Sequence, residues 1–297
     1  MPDVILSGLD GSNPLGFLAA AGVLAAVSQS PRARMTWRYD GVWHPVIDSE
    51  HADLDALMSY LDADRRECLT DQALQLTYDG KRDLKPPPGE FRAYLAVLRD
   101  AAGPTARRSI DWAAAFGTDV AVDNKGNTKP TALHFTAGQQ QFLQMVAELS
   151  QQVGPDDLRE ALAGPWRYAR PLPVMGWDAT SSRDYALRGS DPSTDKKLGV
   201  PGADWLAVRG LTFLPCMPKG RRVATTACRG GWKDGVFTWP LWDGSLSART
   251  VRSLLGFDVQ GLSADERQSR GVVAVFSSAI KRSDQGGYGS FAPAATV

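Results

Sequence analysis

The sequence predicts an α+β fold, built as a single large domain or two tightly packed subdomains, with antiparallel strands and an N-terminal buried helix. Three observations predict it. The 297 residues are 43% hydrophobic and 22% charged, the composition of an ordinary globular chain long enough to bury a sizeable core. Helical and strand-like stretches follow one another without the regular alternation that a parallel sheet requires. Strand-like stretches also flank turn residues, the mark of antiparallel hairpins.

Val4 to Leu9 reads as a short strand. Asp10-Gly11-Ser12 supplies a turn, Asn13 a helix N-cap and Pro14 a first helical residue, so a helix runs to about Ser28. It is nearly uncharged: Phe17, Leu18, Val23, Leu24 and Val27 need cover, while Ala19, Ala20 and Ala21 permit close packing. It is not expected to be a secretory signal or a membrane span. Asp3 and Asp10 stand where basic residues would precede a signal, and the apolar run is too short for a bilayer.

Residues 34–47 alternate apolar and polar around Asp40-Gly41 and predict a hairpin. A helix follows at 52–61, a candidate strand at 74–80, and a break at Pro86-Pro87-Pro88. Phe91, Tyr94, Leu95 and Leu98 then mark a helix by their spacing. Arg107-Arg108 reads as a surface loop, and residues 123–130 as an exposed, mobile one. Thr136 is expected to cap a long amphipathic helix that places Gln139, Gln140 and Gln141 in its first turn, with a short helix after Gly154-Pro155.

From about residue 168 Gly, Pro, Arg and Asp accumulate and helical periodicity fades. Two regions are therefore drawn: an N-terminal α+β region, 1–168, and a C-terminal basic, loop-rich region, 169–297, with a single domain left open. Strands at 236–242 and 271–280, a helix at 247–255 and a Gly-rich tail complete the chain.

Thirty-three basic and thirty-three acidic residues cancel, so no strong overall field selects a partner. Locally the balance shifts. Residues 1–110 hold 12 basic and 15 acidic side chains, and residues 171–234 hold 10 and 6. A polyanion would meet the second region. Cys68, Cys216 and Cys228 are few, odd in number and widely spaced. They form neither a disulfide framework nor a zinc motif, which favours a cytoplasmic location.

Conventional enzyme motifs are scarce: there is no phosphate-binding loop, zinc-protease helix or nucleophile elbow. His44, His51 and His134 are the only histidines and none has a partner at metal-ligand spacing, so no catalytic residue, metal or cofactor is expected. A hydrolase using His134 with a carboxylate such as Asp123 stays open as an alternative.

Two polar constellations suit nucleic acid. Around residue 130, Lys125 and Lys129 offer donors for phosphate, and Gln139 stands at the expected helix N-terminus. Between 175 and 216, Arg183, Arg188, Lys196, Lys197 and Arg209 interleave with Trp177, Tyr185 and Trp205, cations for a backbone and rings for stacking. Internal pairing with Asp178, Asp184, Asp191 or Asp204 is the competing reading. Residues 183–209 are the expected main binding surface.

Four stretches carry a family resemblance: "GLDGSNPLGFLAAAGVL", "GNTKPTALHFTAGQQQFL", "WDATSSRDYALRGSDPS" continuing to "KKLGVPGADWLAVRGL", and "DQGGYGSFAP". They resemble CRISPR-associated proteins of type I-G systems, formerly I-U, either the helicase-nuclease extension family or a small protein like the large subunit. The third block is the most specific. The resemblance implies a non-catalytic subunit of an RNA-guided DNA interference complex. It would contact guide RNA or target DNA together with other CRISPR-associated subunits, a helicase-nuclease among them, and no membrane. The chain is much shorter than a typical large subunit, which leaves a protein-only scaffold or accessory role as the alternative within the same system.

Overall fold

In the computed structural model the described residues are 3–101, 103, 106–181, 198–283 and 287–297. Strand β1 (Val4–Ile5) leads to helix α1 (Pro14–Val27). Asn13 starts the helix, its Oδ1 accepting the Leu15 N–H at 2.9 Å. All 14 residues of α1 are buried. The hairpin β2 (Arg34–Tyr39) and β3 (Trp43–Asp48) follows, and β3 also pairs with β1 in an antiparallel sheet of order β1-β3-β2.

Helices α2 (Leu54–Cys68), α3 (Pro88–Asp100) and α4 (Ala106–Phe116) precede a two-stranded ribbon, β4 (Gly117–Val122) with β5 (Thr128–Pro130). Helices α5 (Phe142–Gln152), α6 (Pro155–Ala163) and α7 (Pro201–Gly210) come next, then a second ribbon, β6 (Cys216–Lys219) with β7 (Arg222–Thr225). The remaining elements are β8 (Cys228–Arg229), β9 (Gly235–Trp242), α8 (Ala248–Leu255), α9 (Ala264–Ser269), β10 (Val272–Arg282), β11 (Gly289–Phe291) and β12 (Ala295–Thr296). They form a larger antiparallel sheet, β11-β10-β9-β8, with β12 also on β10. The class is α+β.

Helix α1 lies along α7, which is itself wholly buried. A Cβ on Gly22 would overlap the Leu206 carbonyl oxygen, and one on Gly210 the Leu18 carbonyl oxygen. The two backbones therefore cross in direct contact, and this is why α1 is built from small residues. Its larger face meets the sheets: Phe17 packs against Trp37 at 6.1 Å and Trp239 at 5.8 Å, and the Trp239 indole N–H donates to the Gly11 carbonyl at 2.8 Å. Segments on either side of residue 168 thus share one hydrophobic core. No described helix is long and apolar enough to cross a membrane.

Three expected elements differ, the first being the surface loop at Arg107-Arg108, which lies in helix α4. Residues 74–80 are not a strand: Gln72–Gln75 make a single 3-10 turn, whose start Asp71 caps by accepting the Ala73 N–H at 3.0 Å. Helix α5 starts at Phe142, not at 137. Gly138 takes a left-handed φ of +61°, and the Phe142 N–H donates to Asp83 at 3.0 Å. A carboxylate 59 residues away replaces the expected Thr136 cap, and the Thr136 hydroxyl instead meets His134 Nε2 at 3.0 Å.

Candidate nucleic-acid interface

The expected surface at 183–209 divides in two. Arg183, Tyr185, Arg188, Lys196 and Lys197 lie outside the described residues. The described candidates Trp177, Trp205 and Arg209 are interior, which corrects the expectation for all three. Trp177 and Trp205 are core side chains, the Trp177 indole N–H donating to the Leu133 carbonyl at 3.0 Å, so neither ring can meet a base. Arg209, 4% exposed, forms a two-pronged pair with Asp64, Nε to Oδ2 at 2.8 Å and Nη2 to Oδ1 at 3.0 Å. Its guanidinium also covers the Trp112 ring at 5.2 Å. Its partner is Asp64 rather than Asp204, and it is spent on structure.

Arg209 belongs to a larger network. Arg108, in α4 rather than in a surface loop, binds Asp71 at 2.8 Å and approaches Asp64 at 3.6 Å. Arg252 and Arg107 both hold Asp111, at 2.7 and 2.9 Å. All of these side chains but the fully buried Asp71 line a cleft of about 230 Å³ beside α1. Glu67, 3.7 Å from Arg108, is the fourth carboxylate against the four arginines, so the cleft is polar and internally neutralised.

The hydrolase alternative loses its geometry in the same way. His134 is 1% exposed, stacked on Phe142 at 5.6 Å, and its Nε2 meets Asp83 at 3.0 Å. Burial holds its imidazole below the ordinary pKa against the pull of Asp83. The proton then sits on Nε2, donating to Asp83, and Nδ1 is left buried without a partner among the described residues. Asp123 is elsewhere, closing a turn. Buried and held by Asp83 and Phe142, His134 is a core histidine.

The turn that Asp123 closes is the expected loop. One oxygen, Oδ1, accepts the N–H groups of Lys125 at 2.8 Å and Asn127 at 3.0 Å. Residues 123–127 are therefore the tied end of the β4–β5 ribbon, with Lys125 exposed. Gln139 is exposed in a turn ahead of α5, so no helix N-terminus stands behind it. Ribbon β6–β7 packs beside β4–β5, and Lys129 Nζ donates across to the Arg221 carbonyl at 2.9 Å.

This pairing assembles Lys125, Lys129, Lys219, Arg221 and Arg222 on adjoining ribbons. Among the described residues none of the five forms an ion pair, and residues 216–225 contain three cations and no carboxylate. Lys219, Arg221 and Arg222 had no place in the expected surface. Their signal was nonetheless readable: Pro218-Lys219-Gly220-Arg221-Arg222 puts a glycine turn, here at φ +60°, inside a basic run, which reads as a hairpin tip.

Behind the ribbons sits a second basic centre. Arg282, at the end of β10, donates from Nη1 to the His134 carbonyl at 2.6 Å and from Nη2 to the Ala132 carbonyl at 2.8 Å. Its guanidinium lies between Phe135 at 4.9 Å and Trp232 at 4.2 Å, and burial pushes its pKa down to about 10. Ala132 in turn donates its N–H to Thr225 of β7 at 2.8 Å. Burial lowers the pKa of half-buried Lys85, with Asp83 and Asp123 pulling against it and Arg282 and Lys125 adding to it.

A different pocket, about 280 Å³, lies near the start of α1. Asp178 there accepts from Asn13 at 2.8 Å and from the Tyr168 hydroxyl at 2.8 Å. Burial raises the Asp204 carboxyl well above its ordinary pKa. Among the described residues no cluster of three or more His, Cys, Asp or Glu side chains converges on a metal position. Compared with known proteins, the chain matches no family model and no curated sequence.

Proposed function

We propose that the chain is a non-catalytic, nucleic-acid-contacting subunit of a type I CRISPR RNA-guided DNA interference complex. It meets guide RNA or target DNA through the paired ribbons and works beside other CRISPR-associated subunits, including a helicase-nuclease. The observation that carries the nucleic-acid part is the set of five cations on adjoining ribbons without carboxylate partners among the described residues. Exposed lysines and arginines that neutralise phosphates release the counterions condensed on the nucleic acid. The sequence blocks that resemble type I-G proteins support the assignment to such a system. In complexes of this kind base pairing reads sequence, and protein subunits hold backbones.

The scaffold alternative draws on Val120 of β4 and Met217 of β6, two large apolar side chains exposed on the same ribbons, which suit a protein partner. Recovering the tagged full chain from its own cells separates the two readings. The proposed function predicts co-recovery of short guide RNA with several CRISPR-associated subunits, released as salt is raised. Proteins without RNA, after nuclease-free preparation, would give the scaffold role the lead; recovery of the chain alone would remove both.

A further inference from the structure

Nine tryptophans are present in the chain, and most are consumed by the core. Trp232 is 53% exposed, three residues past the end of β8. Its inner face rests on Arg282 at 4.2 Å. Arg282 is clamped from the other direction by Phe135 and by the carbonyls of His134 and Ala132. The indole is therefore backed by a guanidinium that cannot swing, and it is held flat before any ligand arrives. Preorganisation of this kind removes an ordering cost from binding.

The placement of the ring is as informative as its support. Ala132, which holds Arg282, also donates to Thr225 of β7, so the platform and the β6–β7 ribbon share a neighbour. An exposed ring linked through Ala132 to the base of a ribbon whose cations are unpaired among the described residues joins a stacking surface to a phosphate surface. A duplex offers phosphates but keeps its base faces covered by their neighbours. A single strand offers both, and base–aromatic stacking tolerates any base because each has a π-face.

Resting on the nucleic-acid reading above, we propose that the ribbon edge takes single-stranded nucleic acid, with an unpaired base stacked on the outer face of Trp232 and the flanking phosphates on Lys219, Arg221 and Arg222. The ring fixes the form of the ligand; the cations supply the sequence-independent attraction.

The test measures binding of the full chain to three probes of equal length, about twelve residues each: oligothymidylate, the corresponding duplex, and an abasic strand that keeps the phosphates and lacks the bases. The wild type is expected to favour oligothymidylate over the duplex and over the abasic strand. Trp232→Ala should weaken oligothymidylate binding by about tenfold, at the low end of one stacked base, and leave the abasic strand unchanged. Trp232→Phe, which keeps a ring, should retain most of the affinity and guards against a folding defect. Duplex binding as tight as single-strand binding, or equal losses on oligothymidylate and abasic strand, would overturn the stacking site while leaving the basic edge in place. If no probe binds the wild type, the proposed function falls with it.

Discussion

The arginines of the cleft and the cations of the ribbons carry the same charge and have opposite fates. Arg108 and Arg209 sit between helices with Asp64 and Asp71 against them, while Lys219, Arg221 and Arg222 stand on a strand pair with no carboxylate in residues 216–225. A buried pair holds its place because removing one partner strands a charge in the interior. An exposed, unpaired cation contributes little to stability and stays available to displace counterions from a phosphate. The lesson is that a count of basic residues says where positive charge is encoded, and pairing decides what it does. Residues 171–234 hold a basic excess, yet one of the arginines that produce it, Arg209, is neutralised by a carboxylate from α2.

The comparison predicts effects that separate cleanly. The largest belongs to the cleft: Asp64→Ala strands Arg209, while Arg108 keeps Asp71, and should cost about 3–5 kcal/mol in chemical denaturation. Arg209→Lys keeps the charge but loses the fork on Asp64 and the cover over Trp112, and should cost about 2 kcal/mol by the same measurement. Neither should alter the salt dependence of nucleic-acid binding. On the ribbons, Lys125→Ala should leave the melting temperature unchanged and lower the log–log salt slope of binding by roughly one unit.

The smallest expected effect is a pH dependence that stability and binding do not share. His134 has a folded-state pKa below its unfolded one because of burial. The unfolded chain therefore takes up the proton first, and stability is lost as pH falls through about 6.5. His134→Gln should flatten that part of a melting-temperature profile. Binding through lysines and arginines should not follow the same profile.

How much of this was legible in the sequence depends on how local its causes are. The start of α1 was written in Asn13 and Pro14, and the hairpin of β2 and β3 in the alternation around Asp40-Gly41; in both, the residues that act are neighbours. The start of α5 was not, since Asp83 caps it from 59 residues away. The fate of Arg209 was not either, because its partner lies 145 residues off and a nearer carboxylate, Asp204, offered a more obvious choice. Trp177 and Trp205 looked like stacking rings because composition cannot distinguish an aromatic beside cations from one buried beneath them. The ribbon cations lay between these extremes: their turn was local, and the adjoining ribbon was not.

A salt titration of oligonucleotide binding on the Lys219→Ala, Arg221→Ala, Arg222→Ala triple variant beside the wild type tests the central claim most directly. Unpaired ribbon cations predict a slope lower by about three units, together with weaker binding and an unchanged melting temperature. Equal slopes and equal affinities would contradict the account, and the ribbon edge would then belong to a protein partner.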